Sequence, residues 1–495
     1  DVYKRQRYAS KGRFTQSVNI DVNTGKFGSY TSYRRQQAEG WQLNPYEENS
    51  KTHELEETGK VASTGFYANT VNQKFTFDAT DKLSFYARGG YYDNKTRRPY
   101  EAYDYNILHE TFNYGIGAQY MINKGNYITA DCYADHFSSS YCFFKDNKTY
   151  NGKAGEEQVR KRTRNHNLSI KGIFKLGNRH KLSVGTEYIV DVLKSQTDNI
   201  AKEDAYTLAL FAQDEIKLLR NLQALIGVRY IYHENFKNHA TPNVALMYKP
   251  GKFNFRASYA AGFRTPTLSE LYATDIAKKN DRLTIGNLDL KPEKNNYFSL
   301  SAEYVHERFS VSVNAFYNNI RDMIDYNTIA TGDKAMEQYG HKEVRQRDNI
   351  AEAKVHGINV SANAYLGAGF NLSGGYTHLN TQDVELEQPI DKSIKNAYNI
   401  NAQWAHSWKI YRLNINLNGR FNSKRFSKSY GYAPEYQLWD LNTRHSFNLK
   451  SVIIEPGCGM ENLFDYMDDR PYNSNYATLT PGRSFYISLS LKFKS

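Results

Sequence analysis

The chain has 495 residues, of which 40% are hydrophobic, and its mean hydropathy is −0.72. No run approaches the ~18 apolar residues of a membrane-crossing helix, so helical spans are excluded. The chain is long for one ordinary soluble domain, yet no linker or composition break divides it, and its net charge of +12 is spread along its length.

From Phe14 onward, two-residue-period strands are joined alternately by very short and by long polar connections. The short ones are 23–26, 79–82, 122–126, 176–180, 218–221, 249–252, 306–308, 366–369, 407–409 and a turn near Lys450 and Ser451. They are rich in Gly, Asn, Lys and Pro, the residues that turns require. Between them lie longer stretches, at about 35–61, 93–111, 138–163, 191–205, 264–295, 321–352, 381–395, 422–435 and 463–483. One connection on that side, 234–239, is short.

The strands are apolar on one side only. Phe253, Phe255, Ala257 and Tyr259 alternate with Asn254, Arg256 and Ser258, and Leu413, Ile415 and Leu417 with Arg412, Asn414, Asn416 and Asn418. In the last strand Phe485, Ile487, Leu489, Leu491 and Phe493 oppose Ser484, Tyr486, Ser488, Ser490 and Lys492. One such strand fits a half-buried strand of a soluble sheet equally well. Some twenty in succession, with short connections on one side and, 234–239 apart, long ones on the other, fit a transmembrane antiparallel β-barrel with short periplasmic turns and long extracellular loops. The count from Phe14 is about 21, and a closed antiparallel barrel needs an even number. A 22-strand barrel is therefore expected, its first strand absent or reduced to the stub before Gly12. The lumen of such a barrel is wide enough to need a plug. The 41 Tyr, 26 Phe and 4 Trp suit aromatic girdles at the two interfaces and ligand contacts in the outer loops.

Three stretches carry a resemblance. Gly262-Phe263-Arg264-Thr265-Pro266-Thr267-Leu268-Ser269-Glu270-Leu271-Tyr272 resembles a box in the barrels of TonB-dependent outer-membrane receptors. Asn287-Leu288-Asp289-Leu290-Lys291-Pro292-Glu293 resembles the box that follows it. Glu461-Asn462-Leu463-Phe464-Asp465, with Pro481 to Phe493, is similar to the family's ending. The resemblance implies TonB-energised import of a scarce, bulky nutrient, such as an iron–siderophore or cobalamin, across the outer membrane of a Gram-negative bacterium. It also implies a plug that fills the barrel and reaches the TonB complex. No plug-sized segment or TonB box precedes the barrel, and Asp1 to Gln6 has no apolar signal-peptide core. Residues 1–12 are accordingly expected to be a non-native or truncated start, and 13–495 the barrel without its plug. Expected partners are the TonB complex through that plug, outer-membrane lipid with lipopolysaccharide, a small bulky ligand and, as a candidate, a surface lipoprotein. A passive porin-like channel or a loop-based adhesin is the alternative reading.

No enzyme constellation stands out: there is no H-E-x-x-H, no phosphate-cradling glycine loop and no G-x-S-x-G elbow. Nothing calls for a cofactor. Haem receptors of the family carry a His between the two boxes, and here none lies between Pro266 and Leu288. Cys132 and Cys142 are open to pairing in an oxidising compartment, and no cysteine spacing resembles a metal site. Asp465, Asp468 and Asp469 lack an EF-hand pattern and read as a solvated acidic loop paired with Arg470 or Arg483. The run Arg160, Lys161, Arg162 and Arg164 lies where a loop meets a strand, which favours lipopolysaccharide contact or solvation over nucleic acid. Arg264 and Glu270 either touch ligand or fix the exit angle of the loop after Pro266. The remaining ligand-binding candidates are the aromatics Tyr92, Tyr100, Tyr103, Tyr105, Tyr326, Tyr430, Tyr432, Tyr472 and Tyr476, expected at loop tips. Their rings offer rigid area and a hydroxyl for a large, partly apolar ligand.

Overall fold

The computed structural model describes residues 2–49, 52–277 and 281–493. Ser50, Lys51 and Lys278–Asn280, within two of the long loops, lie outside the described residues, as do Asp1, Lys494 and Ser495. Twenty-two antiparallel strands form one closed wall. In chain order they are β1 (Val2–Ala9), β2 (Arg13–Thr24), β3 (Phe27–Ala38), β4 (Gly65–Asp78), β5 (Leu83–Arg97), β6 (Tyr105–Asn123), β7 (Asn126–Phe143) and β8 (Glu157–Leu176). They continue with β9 (His180–Ser195), β10 (Ile200–Leu219), β11 (Leu222–His233), β12 (Lys237–Tyr248), β13 (Phe253–Arg264), β14 (Glu293–Val305) and β15 (Phe309–Thr331). The last seven are β16 (Glu343–Gly367), β17 (Phe370–Asp383), β18 (Asn396–Trp408), β19 (Tyr411–Asn422), β20 (Tyr436–Asn448), β21 (Val452–Glu461) and β22 (Ser484–Phe493).

Each strand pairs with its sequence neighbours, and the cylinder closes where Val2 meets Phe493 and Ala9 meets Tyr486. The strand expected to be absent or a stub is therefore Val2–Ala9, which brings the count from about 21 to 22. Its alternation is obscured because Tyr3, Arg5 and Arg7 face the lumen while Lys4 and Gln6 take the other face, leaving little apolar contrast to read. Across the seam Arg7 and Arg13 both hold the Glu461 carboxylate, so charge as well as the ladder joins the two ends of the wall.

The inner surface is polar. Tyr3, Arg5 and Arg7 share a cavity of about 740 Å³ with Arg412, Asn414, Asn416, Arg444, Ser488 and Ser490. The opposite face carries Phe485, Ile487 and Leu489, all exposed. That is the expected inversion for lipid outside and water within. Turns at one end are two to four residues long, and all fall within two residues of the positions expected from sequence. Gly369, with φ +86°, shows why the composition matters there: a Cβ would stand 2.0 Å from the Ala405 carbonyl oxygen.

The opposite end differs from expectation in one respect. Stretches expected as loops are largely continuations of the strands beyond the apolar band. The connection at 191–205 shrinks to 196–199, and 321–352 becomes the end of β15, a helix Gly332–Tyr339 and the start of β16. Polar strand extensions in water carry no lipid-facing dyad, so period alone does not separate them from loops. This also decides the cysteines. Cys142 lies in β7 with Cys132, ten residues along a continuous strand, about 33 Å at 3.3 Å per residue. That separation rules out a bridge between them, and all three cysteines are free.

Above the wall sits a folded crown. Among the described residues the barrel has no dry centre, and the buried apolar clusters lie at this long-loop end. Leu271, Leu290 and Ile324 form one; Ala330, Ala335 and Val344 a second; Ala433, Tyr436, Leu438 and Ala477 a third. The hairpin Thr274–Ala277/Arg282–Ile285 joins β16 in parallel, with Arg282 opposite Glu343.

Candidate functional site

The first of the two family-like boxes forms the exit from β13. Thr267 caps a short helix, Leu268–Tyr272, in a capping box with Glu270. Arg264, the last residue of β13, bonds Glu270 through Nη1 at 2.9 Å and Nη2 at 3.2 Å. It bonds Glu293, the first residue of β14, through Nε at 2.8 Å and Nη2 at 2.6 Å. Glu293 also accepts the Ile324 backbone N–H at 2.9 Å, and Glu270 that of Thr267 at 2.8 Å. Burial pushes both carboxyls up, but the Arg264 and backbone hydrogen bonds outweigh it and hold both below the ordinary glutamate value. The guanidinium is thus engaged on two sides by carboxylates, as a clamp between β13, the loop at 265–292 and β14 would require.

The candidate tyrosines divide into groups. Tyr105, at the start of β6, stacks on Tyr141 at 4.1 Å and meets Tyr150 edge-on at 5.8 Å. Arg98 lies over Tyr103 at 4.6 Å and over Tyr105 at 5.1 Å. Arg160 covers Tyr141 at 5.3 Å and Tyr150 at 5.0 Å. Register places this group on the inner face, because Tyr105 and Tyr141 share parity with Tyr133 and Asp131, which pair beside Arg88 and Tyr86. Burial and the neighbouring Tyr105 push the Tyr141 phenol up, so it stays a neutral donor. Two guanidinium faces and three phenols thus line one side of the mouth. Tyr141, Tyr150, Arg98 and Arg160 are absent from the candidates that sequence reasoning supplies. The available signal is inward parity on strands that outrun the membrane band.

A second group joins the first and last long loops. Tyr472 receives the Lys60 ammonium over its ring at 5.6 Å, and its backbone N–H donates to the Tyr46 carbonyl at 2.7 Å. Tyr430 lies 6.0 Å from Tyr476, whose hydroxyl reaches the Arg425 carbonyl at 3.0 Å. Arg470, over the Tyr476 ring at 5.6 Å, is locked by two 2.8 Å bonds to buried Asp468. The Asp468–Arg470 pairing is as expected, but the loop is not solvated there, since Asp468 is buried; Asp465 accepts the Arg483 backbone N–H at 2.6 Å. Tyr476 packs against the Tyr436 cluster, so in this group packing accounts for much of the aromatic content.

The other candidates stand apart. Tyr92 lies in β5, not at a tip, and faces inward between Thr70 and Thr111. Tyr326 lies in β15 under the Arg347 guanidinium, 3.5 Å from the ring centre, and accepts its hydrogen bond at 2.6 Å. Tyr100 is exposed beneath Lys145, 3.7 Å away. Tyr432, also exposed, contacts Phe426 at 5.3 Å in the small hairpin Arg425–Ser427/Gly431–Ala433.

A family model described as TonB dependent receptor-like, beta-barrel, matches residues 6–462. Among solved structures, a point mutant of the ferric enterobactin receptor PfeA from Pseudomonas aeruginosa superposes with a TM-score of 0.81 at 15% identity, covering 99% of this chain and 79% of that one. The siderophore receptor PirA from Acinetobacter baumannii gives 0.76 at 14% identity, covering 99% and 79%. The copper transporter OprC gives 0.74 at 10%, again covering 99% and 79%. At these identities the structural likeness speaks to the fold alone. With the family model spanning nearly the whole wall and the box motifs seated at the strand exits, this chain belongs to the TonB-dependent receptor-like β-barrels.

Proposed function

We propose that this barrel is the wall and mouth of a receptor in the outer membrane of a Gram-negative bacterium, serving TonB-energised uptake of a bulky iron chelate. The observation that carries this is the inward group of Tyr105, Tyr141, Tyr150, Arg98 and Arg160 at the long-loop end. Arginines stacked on phenols offer positive charge and flat apolar area together, which suits an anionic chelate bearing aromatic rings. Two of the structural neighbours, PfeA and PirA, are named as a ferric enterobactin receptor and a siderophore receptor, which supports this ligand class over cobalamin. A plug seated in the polar lumen and the TonB complex it engages are the partners this reading requires.

The test is binding of a ferric catecholate, cobalamin and Cu²⁺ to the folded chain, followed by intrinsic fluorescence. Ferric catecholate should bind, and R98A/R160A should weaken it by tenfold or more. Cobalamin or Cu²⁺ binding without the ferric chelate would overturn the ligand class. Ion currents through the complete receptor in a planar bilayer, without any ligand dependence, would favour a passive channel.

A further inference from the structure

The β12–β13 ladder stops halfway up. Each strand has twelve residues, but the two pair only from Tyr248 with Phe255 up to Asn243 with Ala260, six positions in all. On their other sides β12 pairs with β11, and β13 with β14, over all twelve. Pro242, which has no N–H to give, stands where the pairing ends, as a proline on an edge strand does. Above it, continued register would set Ala240 against Phe263 on the outer face. Instead His239, of inner parity, stacks on Phe263 at 4.7 Å, so the two edges are out of step.

The gap has a floor and a roof. On the outer face just below it, register aligns Val244, Tyr259, Phe298 and Tyr317 across four strands, with Leu246, Ala257, Leu300 and Ala315 beneath them. Rings over aliphatics mark the boundary between lipid tails and headgroups. One step higher Asn296, opposite Ala261, accepts the Tyr259 hydroxyl at 2.9 Å. The unpaired edges thus lie at headgroup level, where water reaches their amides. Between the two rows the alanines leave a groove of about 570 Å³.

Overhead, β11 and β12 are joined by three residues, 234–236. The loop at 265–292 crosses this low hairpin. Leu271 packs with Phe236, and beyond the hairpin the Ser269 hydroxyl donates to the Asp198 carboxylate at 3.1 Å and the Thr274 N–H to the Asp198 carbonyl at 2.8 Å. Aromatic row, two strand edges and loop frame a window from the headgroup layer to the lumen. Its flanks, Ala240 and Pro242 on one side and Ala261 and Gly262 on the other, are small and uncharged.

We propose that this window admits an iron chelate carrying a single fatty acyl tail, the tail lying in the groove over Ala257 and Ala315 and the head passing sideways into the lumen. Bilayer chains fill such a groove in any case, so a ligand's own tail lies at the same depth. A chelate held there cannot climb over the crown without leaving the bilayer. The inference rests on the ligand class proposed above and narrows it to amphiphilic members.

The test uses the full chain in phosphatidylcholine vesicles, with a ferric catecholate and the same catecholate bearing a dodecanoyl tail. Binding is counted as radioactive iron retained above protein-free vesicles, and the wild type should bind both. Oxidising P242C/A261C bridges the gap on the outer face. The tailed chelate should then bind about tenfold more weakly, the worth of roughly two methylenes kept from an apolar site, while the tailless one is unchanged. Reduction should restore binding, which also shows that the variant folds. A wild type that binds only the tailless chelate, tailed binding that survives oxidation, or loss of both chelates on oxidation would overturn the window and leave the ligand class standing. If the wild type binds neither, the ligand class falls and this inference with it. Hydrogen exchange tests the gap without any ligand. Amides at 239–241 and 261–263 that face it should exchange fast beside protected ones at 244–247, and uniform protection would also overturn the window.

Discussion

The wall and the crown solve opposite solvent problems with one chain. In the wall, apolar side chains such as Ile487 and Leu489 are exposed while Ser490 is buried, because the good solvent for hydrocarbon lies outside. In the crown the order is that of a soluble protein: Leu271, Leu290 and Val344 are buried, and ion pairs hold the rim. The wall's hydrogen bonds form one continuous ladder, so losing a side chain leaves the cylinder closed. The crown is assembled from separate small clusters, each leaning on a few residues. Stability should therefore be global in the wall and local in the crown.

The sharpest way to break this contrast is Leu271→Ala. Truncating a buried Leu should cost about 2–5 kcal/mol, felt as faster hydrogen exchange and proteolysis across 265–292 while heat-modifiable mobility stays that of the closed barrel. Unfolding of the whole barrel in parallel would show the two regions to be one cooperative unit. Next comes the wall itself. Leu489→Arg or Ile415→Arg should cost about 2–4 kcal/mol near the bilayer midplane, measured by urea titration in lipid vesicles, whereas Ser488→Arg, on the lumen face, should be mild. Equal effects on the two faces would contradict the assignment of inside and outside.

Smaller effects should sharpen the crown. Arg264→Ala leaves the largely buried carboxylates of Glu270 and Glu293 without their shared cation, and should cost about 1–3 kcal/mol, again confined to the loop by hydrogen exchange. Thr267→Ala removes only the cap and should cost about 1 kcal/mol. Because Glu270 and Glu293 have folded pKa values below the ordinary 4.5, the stabilisation they give is complete above that value and is lost as pH falls through the lowered ones. Protease sensitivity at 265–292 should thus rise below pH 4.5 in the wild type and be flatter with pH in Arg264→Ala.

Much of the wall is legible in the sequence because strand period, turn chemistry and loop sidedness are local properties. The turns at 249–252 and 306–308 coincide with the observed ones; in the first, Lys249-Pro250-Gly251-Lys252 leaves little choice, and in the second the polar run His306-Glu307-Arg308 interrupts the alternation on both sides. Val2–Ala9 is not legible, because a strand with polar residues on both faces becomes a strand only when Phe493 and Ile20 supply partners. The clamp is half visible: Thr267 and Glu270 have capping-box spacing, but Glu293 lies 29 residues from Arg264 and meets it only because β13 and β14 pair. The mouth is least visible. Tyr105 stands out in the sequence, yet its companions Tyr141, Tyr150 and Arg160 come from separate strands and a loop.

Along the chain, alternation dictates that each strand has one oily and one wet face, and short turns dictate which ends lie together. Only closure of the cylinder decided that Arg160 turns inward while Arg162 and Arg164 face out, since a one-residue bulge in the ladder inverts parity and no composition records it. It also decided which distant rings share the mouth, because register across strands, not distance along the sequence, sets what a side chain meets.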